Sequence, residues 1–305
     1  MIGAALLWSM AGVVSRQLES ARSFEVTFWR SAFNALALAA LLAAWRGPAQ
    51  LVQSLRGGGH ALWLSGLCWC VMYTAFMLAL TLTTVAHVLV TMALAPLFTA
   101  LLARLVLAHR LALRTWVAIA LAGLGIAWMY GTQLGMGEPR HLLGTAVALA
   151  VPLAAAANWT LLQHLNRPGA GRHGGSANIA GRRDATGDML SAVLLGALLS
   201  AAITLPLAWP LAGSRQDVSW LALLGVVQLA VPCLMAVVAA RSLSAPEASL
   251  LSLLEVLFGV AWAWLGAGEV PATPVLAGGS LVLLALAGNE WPSLMRRRGA
   301  PVAGS

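Results

Sequence analysis

Lysine is absent from this chain of 305 residues, and all 18 basic residues are arginine. Charge of either sign is scarce at 9% of residues, where a soluble domain carries roughly 25%. With 60% hydrophobic residues, such a chain could not cover the surface of a soluble fold. It is also far too apolar to stay solvated as a disordered one. Cysteine is limited to Cys68, Cys70 and Cys233, each inside an apolar run where it behaves as a small hydrophobe. No CxxC pair and no disulfide framework is present. Cys68 and Cys70, two apart, point to nearly opposite sides of a helix and cannot jointly hold a metal. Neither HExxH nor GxSxG occurs, so the common hydrolase sites are missing, and no acidic cluster is present. No catalytic residue, metal or cofactor is therefore expected. A basic n-region with a small-residue cleavage site is likewise missing.

What the chain does have is long apolar runs. A bilayer-crossing helix needs about 20 mainly apolar residues, and ten such runs lie near residues 2–17, 24–45, 61–80, 85–107, 115–130, 142–165, 188–209, 220–240, 245–266 and 275–291. They are rich in Ala and Leu and lack the alternation of an outer-membrane barrel. Helices satisfy their own backbone in lipid. The expected fold is an all-α integral membrane protein of ten transmembrane helices. Trp45, Trp63, Trp116, Trp209, Trp220 and Trp291 fall near span ends, where interfacial anchors belong.

The net charge of +8 does not point to nucleic acid, because the arginines fall between apolar runs instead of on one face or arm. There they act as topology signals. With a cytoplasmic N-terminus, the inner loops and tail hold Arg46, Arg56, Arg110, Arg114, Arg167, Arg172, Arg182, Arg183, Arg241 and Arg296 to Arg298. Only Arg16, Arg22, Arg140 and Arg215 then lie outside, while Arg30 and Arg104 sit within spans. Both termini are expected in the cytoplasm of a multi-pass cell (inner) membrane protein. The first span starts almost at the membrane edge, so either Met1 sits at the interface or the natural start lies upstream.

The segment 131–141 leaves five spans on each side, giving units 2–131 and 142–291, the second with a Gly/Arg-rich cytoplasmic loop at 166–187. A shift of 160 residues lays Leu94-Ala95-Pro96-Leu97-Phe98 on Leu254-Glu255-Val256-Leu257-Phe258 and His109 on Glu269. Both halves end in a glycine-bearing span, with Gly123 and Gly125 in one and Gly278 and Gly279 in the other. Five is odd, so a repeated five-helix unit must cross the membrane in opposite senses in the two halves. Inverted repeats are the architecture of many secondary transporters, with the substrate near the midplane between them.

Several stretches resemble a known family. Leu6-Leu7-Trp8-Ser9, then Phe28-Trp29-Arg30, resembles the start of an EamA domain of the drug/metabolite transporter superfamily. So does the run from Ala93 to Arg104, followed by His109-Arg110-Leu111 and Trp116. The second half repeats the pattern from Ser249 to Val256, then Gly268-Glu269 and Gly278-Gly279. The chain departs from the family pattern at His109, where Glu is usual, and at Val256, where Pro follows the glutamate; the seventh span has no arginine matching Arg30. The resemblance implies a carrier of ten helices, usually an exporter in bacteria, that works by alternating access on a small polar metabolite or amino acid.

Charges inside the bilayer cost roughly 2.5–3.5 kcal/mol at a helix centre, so they face the interior and find partners. Glu255, near mid-depth of the ninth span, and Arg30, in the second, are the leading substrate-binding or coupling candidates. They could form a permanent structural ion pair, or Arg30 could hold a substrate carboxylate while Glu255 binds an amine or a proton. Asn34, Asn158, Trp159 and Gln228 could line a polar cavity or serve as interhelical glue. Trp8 and His87 join them, and His87 could titrate near neutral pH. Pro96, Pro152 and Pro232 fall within spans and could act as hinges or as inert kinks. The 169–174 match to GxGxxG lacks a preceding strand, and the sequon at Asn158 lies in lipid. Expected partners are a small-molecule substrate and the lipid bilayer; proton antiport and facilitated exchange both fit. Small-residue helix surfaces would suit a homodimer. Two rivals remain at this point: a membrane-embedded enzyme on a lipid substrate, and a sensor or assembly subunit that transports nothing.

Overall fold

In a computed structural model of the chain, residues 1–11, 14, 18, 23–83, 85–107, 111–130, 139–165, 179–267 and 273–298 are described. Among them there is helix and no strand. In chain order the helices are α1 (Ile2–Trp8), α2 (Ser23–Arg46), α3 (Pro48–Gly57), α4 (His60–Leu82), α5 (Val85–Met92), α6 (Ala95–Leu107), α7 (Leu113–Tyr130), α8 (Pro139–Leu165) and α9 (Ile179–Ala208). Then come α10 (Arg215–Leu223), a π-helical segment (Leu224–Ala230), α11 (Val231–Ala239), α12 (Ala245–Ser252), α13 (Leu254–Ala267) and α14 (Thr273–Arg298).

Among the described residues, six segments are long and apolar enough to cross a membrane: Phe24–Arg46, His60–Leu82, Leu143–Leu165, Met189–Ala208, Arg215–Ala239 and Ala245–Trp262. Ala95–Leu107, Leu113–Trp128 and Thr273–Asn289 are shorter apolar helices. Large apolar side chains such as Leu105, Leu124, Leu265 and Leu284 are exposed around the outside, as a lipid-facing surface requires. Trp45, Trp63 and Trp209 are exposed as well.

Two helix starts are written locally. Ser214 and Asp217 form a capping box at α10, with Asp217 N donating to Ser214 Oγ at 3.0 Å and Ser214 N to Asp217 Oδ2 at 3.3 Å. Ser244 and Glu247 do the same at α12, and Pro246 occupies its first turn. In each case the exchange satisfies orphan N–H groups of the first turn.

The spans expected at 85–107 and 245–266 each hold a break in the regular helix. Each is divided near its middle, at Ala93–Leu94 and at Leu253, where backbone bonds tighten to three-residue spacing: Leu94 N to Thr91 O and Leu253 N to Leu250 O, both 3.1 Å. Pro96 in the first turn of α6 has no N–H to continue the ladder; nothing comparable stands at Val256. The expected loop 166–187 is shorter at its far end, because α9 begins at Ile179. Its 30 residues extend about 45 Å at 1.5 Å each, well beyond a hydrocarbon core of about 30 Å. Residues 166–178 lie outside the described ones.

Packing is closest where side chains are smallest. A Cβ on Gly125 in α7 would stand 2.7 Å from the carbonyl oxygen of Gly278 in α14, and Thr115 Oγ1 donates to Asn289 Oδ1 at 3.0 Å across the same pair. Elsewhere hydroxyls link the helices: Ser200 of α9 meets both Ser31 of α2 and Thr74 of α4 at 2.9 Å. The largest apolar cluster gathers Leu38, Trp69, Tyr73, Trp159, Leu194 and Cys233 from α2, α4, α8, α9 and α11.

Candidate functional site

A cavity of about 130 Å³ lies inside the bundle. Its wall draws on α1, α2, α4, α5, α6, α8, the π-helical segment, α11, α12 and α13, but not on α7 or α14. Five of the eight residues singled out from the sequence line it: Trp8, Arg30, Trp159, Gln228 and Glu255. They come from distant parts of the chain, and only the tertiary packing brings them together.

Arg30 is 3% exposed. Its guanidinium stands 6.0 Å from the centroid of the Phe76 ring, within reach of a cation–π attraction, and its Nε has no hydrogen-bond partner. Glu255 faces the same space, close enough for the two charges to attract. Gln228 sits in the π-helical segment, a rare turn that recurs at functional sites. Its Nε2 donates to the backbone carbonyl of Trp8 at 3.0 Å. A carbonyl can only accept, so the amide nitrogen must face Trp8 and the free atom is Oε1, which is buried without a partner.

The other three behave differently. Asn34 is fully buried one turn from Arg30 and does not line the cavity. Asn158 is also fully buried; its Oδ1 accepts from Ser65 Oγ at 2.6 Å, a link between α8 and α4. His87 belongs to α5, but its side chain is outside the described residues.

Sequence reasoning missed an aromatic wall. Trp69, Tyr73 and Phe76 of α4 all line the cavity, at positions i, i+4 and i+7 on one helix face. Trp69 stacks obliquely on Tyr73 at 5.7 Å and meets Trp159 edge-on at 6.4 Å. Tyr73 Oη donates to Cys233 Sγ at 3.4 Å, joining α4 to α11. That spacing was visible in the sequence; which face looked inward was not. Glu25 was missed too. It is fully buried at the start of α2, and its carboxylate accepts from Ala212 N at 3.1 Å and Gly213 N at 2.7 Å, which fastens the connection between α9 and α10.

The bundle thus holds an amphoteric, aromatic-walled cavity among its apolar helices. The model of the EamA-like transporter family matches residues 1–131 and 175–289. The chain belongs to the EamA-like transporter family. It is thus a multi-pass membrane transporter of the drug/metabolite type. One solved crystal structure of a protein superposes with a TM-score of 0.76 at 17% sequence identity, covering 98% of this chain and 98% of its own; at that identity the likeness concerns the fold. No curated protein matches the sequence.

Proposed function

We propose that this EamA-like transporter carries a small polar metabolite or amino acid out of the cell by alternating access between two inverted five-helix repeats, 2–131 and 142–291. In this reading an even count of ten spans keeps both termini on one side, and the arginine bias between the spans supports the cytoplasmic side of the cell (inner) membrane. The observation that carries this reading is the cavity itself, lined by both halves, with Arg30 contributed by one and Glu255 by the other.

The packing between the halves supports the repeat. With α5 and α6 taken as the fourth span, α10 to α11 as the eighth, and α12 with α13 as the ninth, equivalent spans meet: second with seventh, fourth with ninth, fifth with tenth. The remaining principal contacts across the halves come in exchanged pairs. The third packs on the sixth as the first does on the eighth; the third on the seventh as the second on the eighth; the fourth on the sixth as the first on the ninth. Exchanging the halves returns the same set. Trp8-Ser9 and Trp159-Thr160 fit the same scheme, each in the first span of its half with the tryptophan on the cavity. A bundle whose halves can trade conformations has two states of similar energy, open to opposite sides.

In this scheme Arg30 and Glu255 are the binding and coupling residues, Gln228 and the tryptophans shape the site, and proton antiport or exchange supplies the drive. The decisive experiment uses purified protein in liposomes with a pooled panel of amino acids, amines, organic acids, sugars and nucleotide derivatives, with and without a pH gradient. At least one compound should move only in protein-containing vesicles, and Glu255→Gln should abolish or uncouple that movement at near-normal expression. Unchanged transport and pH response in Glu255→Gln would remove Glu255 from the mechanism.

A further inference from the structure

Resting on that reading, the geometry points to a narrower occupant: we infer that the cavity takes a small zwitterion, an α-amino acid with a short apolar side chain, and moves it without net charge and without a proton. Three lining residues hold an unpartnered polar atom, Arg30 Nε, Gln228 Oε1 and Trp69 Nε1, and Glu255 adds a carboxylate; the first two and the carboxylate set the ends. The buried Nε of Arg30 has no acceptor, and the buried Oε1 of Gln228 has no donor. Buried polar atoms are nearly always satisfied, and an exception inside a cavity marks a place where a ligand completes the bonding. An acceptor is missing at the arginine, and a donor is missing at Gln228, which lines the same cavity as Glu255. A carboxylate supplies the first; an ammonium supplies the second, shared between Glu255 and Gln228 Oε1.

The remaining wall is mostly apolar: Met72, Leu89 and Met92 line it together with the aromatic rings, and Trp69 Nε1 adds one donor without a partner. The volume of about 130 Å³ is small beside the roughly 300–1,000 Å³ of pockets for drug-sized ligands. A branched aliphatic side chain suits it better than a sugar or a nucleotide.

Charge balance then sets the energetics. With both groups ionised, Arg30 and Glu255 carry opposite charges, the empty cavity is neutral, and a zwitterion leaves it neutral. Both states can reorient in lipid without carrying a bare charge through the bilayer. An amine alone would satisfy Glu255 and abandon Arg30; an acid alone would do the reverse. A proton on Glu255 would likewise strand the arginine, so this cycle runs as exchange or facilitated movement.

The test uses the full-length protein in liposomes and three matched probes: leucine, 3-methylbutylamine, which lacks its carboxylate, and 4-methylpentanoate, which lacks its amine. Valinomycin with potassium gradients imposes membrane potentials of either sign. Leucine should move at one rate under both potentials and without a pH gradient, and the two half-probes should move more than about 100-fold more slowly. Arg30→Gln should switch preference to the amine, and Glu255→Gln to the acid. This reciprocal switch also shows that each variant is folded. Leucine movement that follows the potential or the pH gradient overturns the charge balance and leaves the transporter reading standing. Movement of panel amines, organic acids, sugars or nucleotide derivatives but of no amino acid overturns the zwitterion and again spares that reading. If inserted protein moves nothing and no probe raises its unfolding temperature, both fall together.

Discussion

The third and eighth spans hold matching places in the two proposed repeats, yet they are built differently. The third is one regular helix, α4, whose Trp69, Tyr73 and Phe76 reach the cavity by ordinary helical spacing. The eighth is α10, a π-helical segment and α11 in succession. Its register explains the difference. Gly225 packs on the second span as Gly66 packs on the seventh, and it follows Gly66 by 159 residues (225 less 66). Cys233, which meets Tyr73 directly, follows it by 160. Between those anchors the eighth span carries one residue more, and a turn closed at five residues instead of four accommodates one more. That turn holds Gln228. The halves thus share a frame, while the polar chemistry is divided unequally between them: Arg30 from the first, Gln228 and Glu255 from the second, with Ala95 standing where Glu255 would be repeated.

The largest way to break this comparison is to unbalance the divided charges. Arg30→Ala or Glu255→Ala alone should cut transport about 100-fold or more, since each strands a charge worth roughly 2.5–3.5 kcal/mol at a helix centre. Arg30→Leu combined with Glu255→Leu should insert better than either single variant and still not transport. Initial rates in liposomes and membrane yields measure both; a double variant that inserts worse than the singles would mean the charges do not compensate each other.

Deleting Val226 should come next. It would return the eighth span to regular helix, turn Gln228 away from the cavity and lower transport at least about tenfold, the loss expected when one oriented polar contact is misplaced. Wild-type rates in that variant would show that the π-helical turn has no part in the site.

A third test compares the two glycines. A Cβ on Gly225 would meet Phe33 Cβ at 2.6 Å and the Arg30 carbonyl oxygen at 2.7 Å, whereas one on Gly66 would meet the side chain of Leu195, at 2.8 Å to Cδ2, 2.9 Å to Cγ and 3.2 Å to Cβ. Backbone retreats less readily than a side chain. Gly225→Ala should therefore cost about 1–3 kcal/mol, as overpacking does, and Gly66→Ala clearly less. Thermal unfolding in detergent reads the difference, and equal losses would contradict it.

The smallest expected effect is at Ser65→Ala, which removes the bond to Asn158. Interhelical hydrogen bonds in membranes average about 0.6 kcal/mol, so stability should fall by about that much and transport should stay within about twofold. A large loss of transport would move Asn158 from interhelical link to functional residue.

Of the site, the buried charges were legible in the sequence because an ion in lipid needs a reason to be there. Glu25 and Glu255 illustrate the limit of that logic. Both are glutamates on apolar helices, but Glu25 is engaged by two backbone N–H groups while Glu255 opens on a cavity. The aromatic wall stayed hidden for another reason. In a helix apolar all round, periodicity cannot tell an inward face from a lipid-facing one, because both are hydrophobic. Two helix starts, by contrast, could have been read from Ser214 with Asp217 and Ser244 with Glu247.

Composition alone determined that this is a membrane protein of helices, since 9% charged residues cannot clothe a soluble fold and lipid forces backbone groups to pair internally. Local motifs in order and duplicate placed it beside the EamA domains. Only the tertiary structure decided which polar residues share one space. Arg30, Gln228 and Glu255 converge because close crossings at small residues draw distant helices together, and no spacing along the chain encodes which faces of those helices meet.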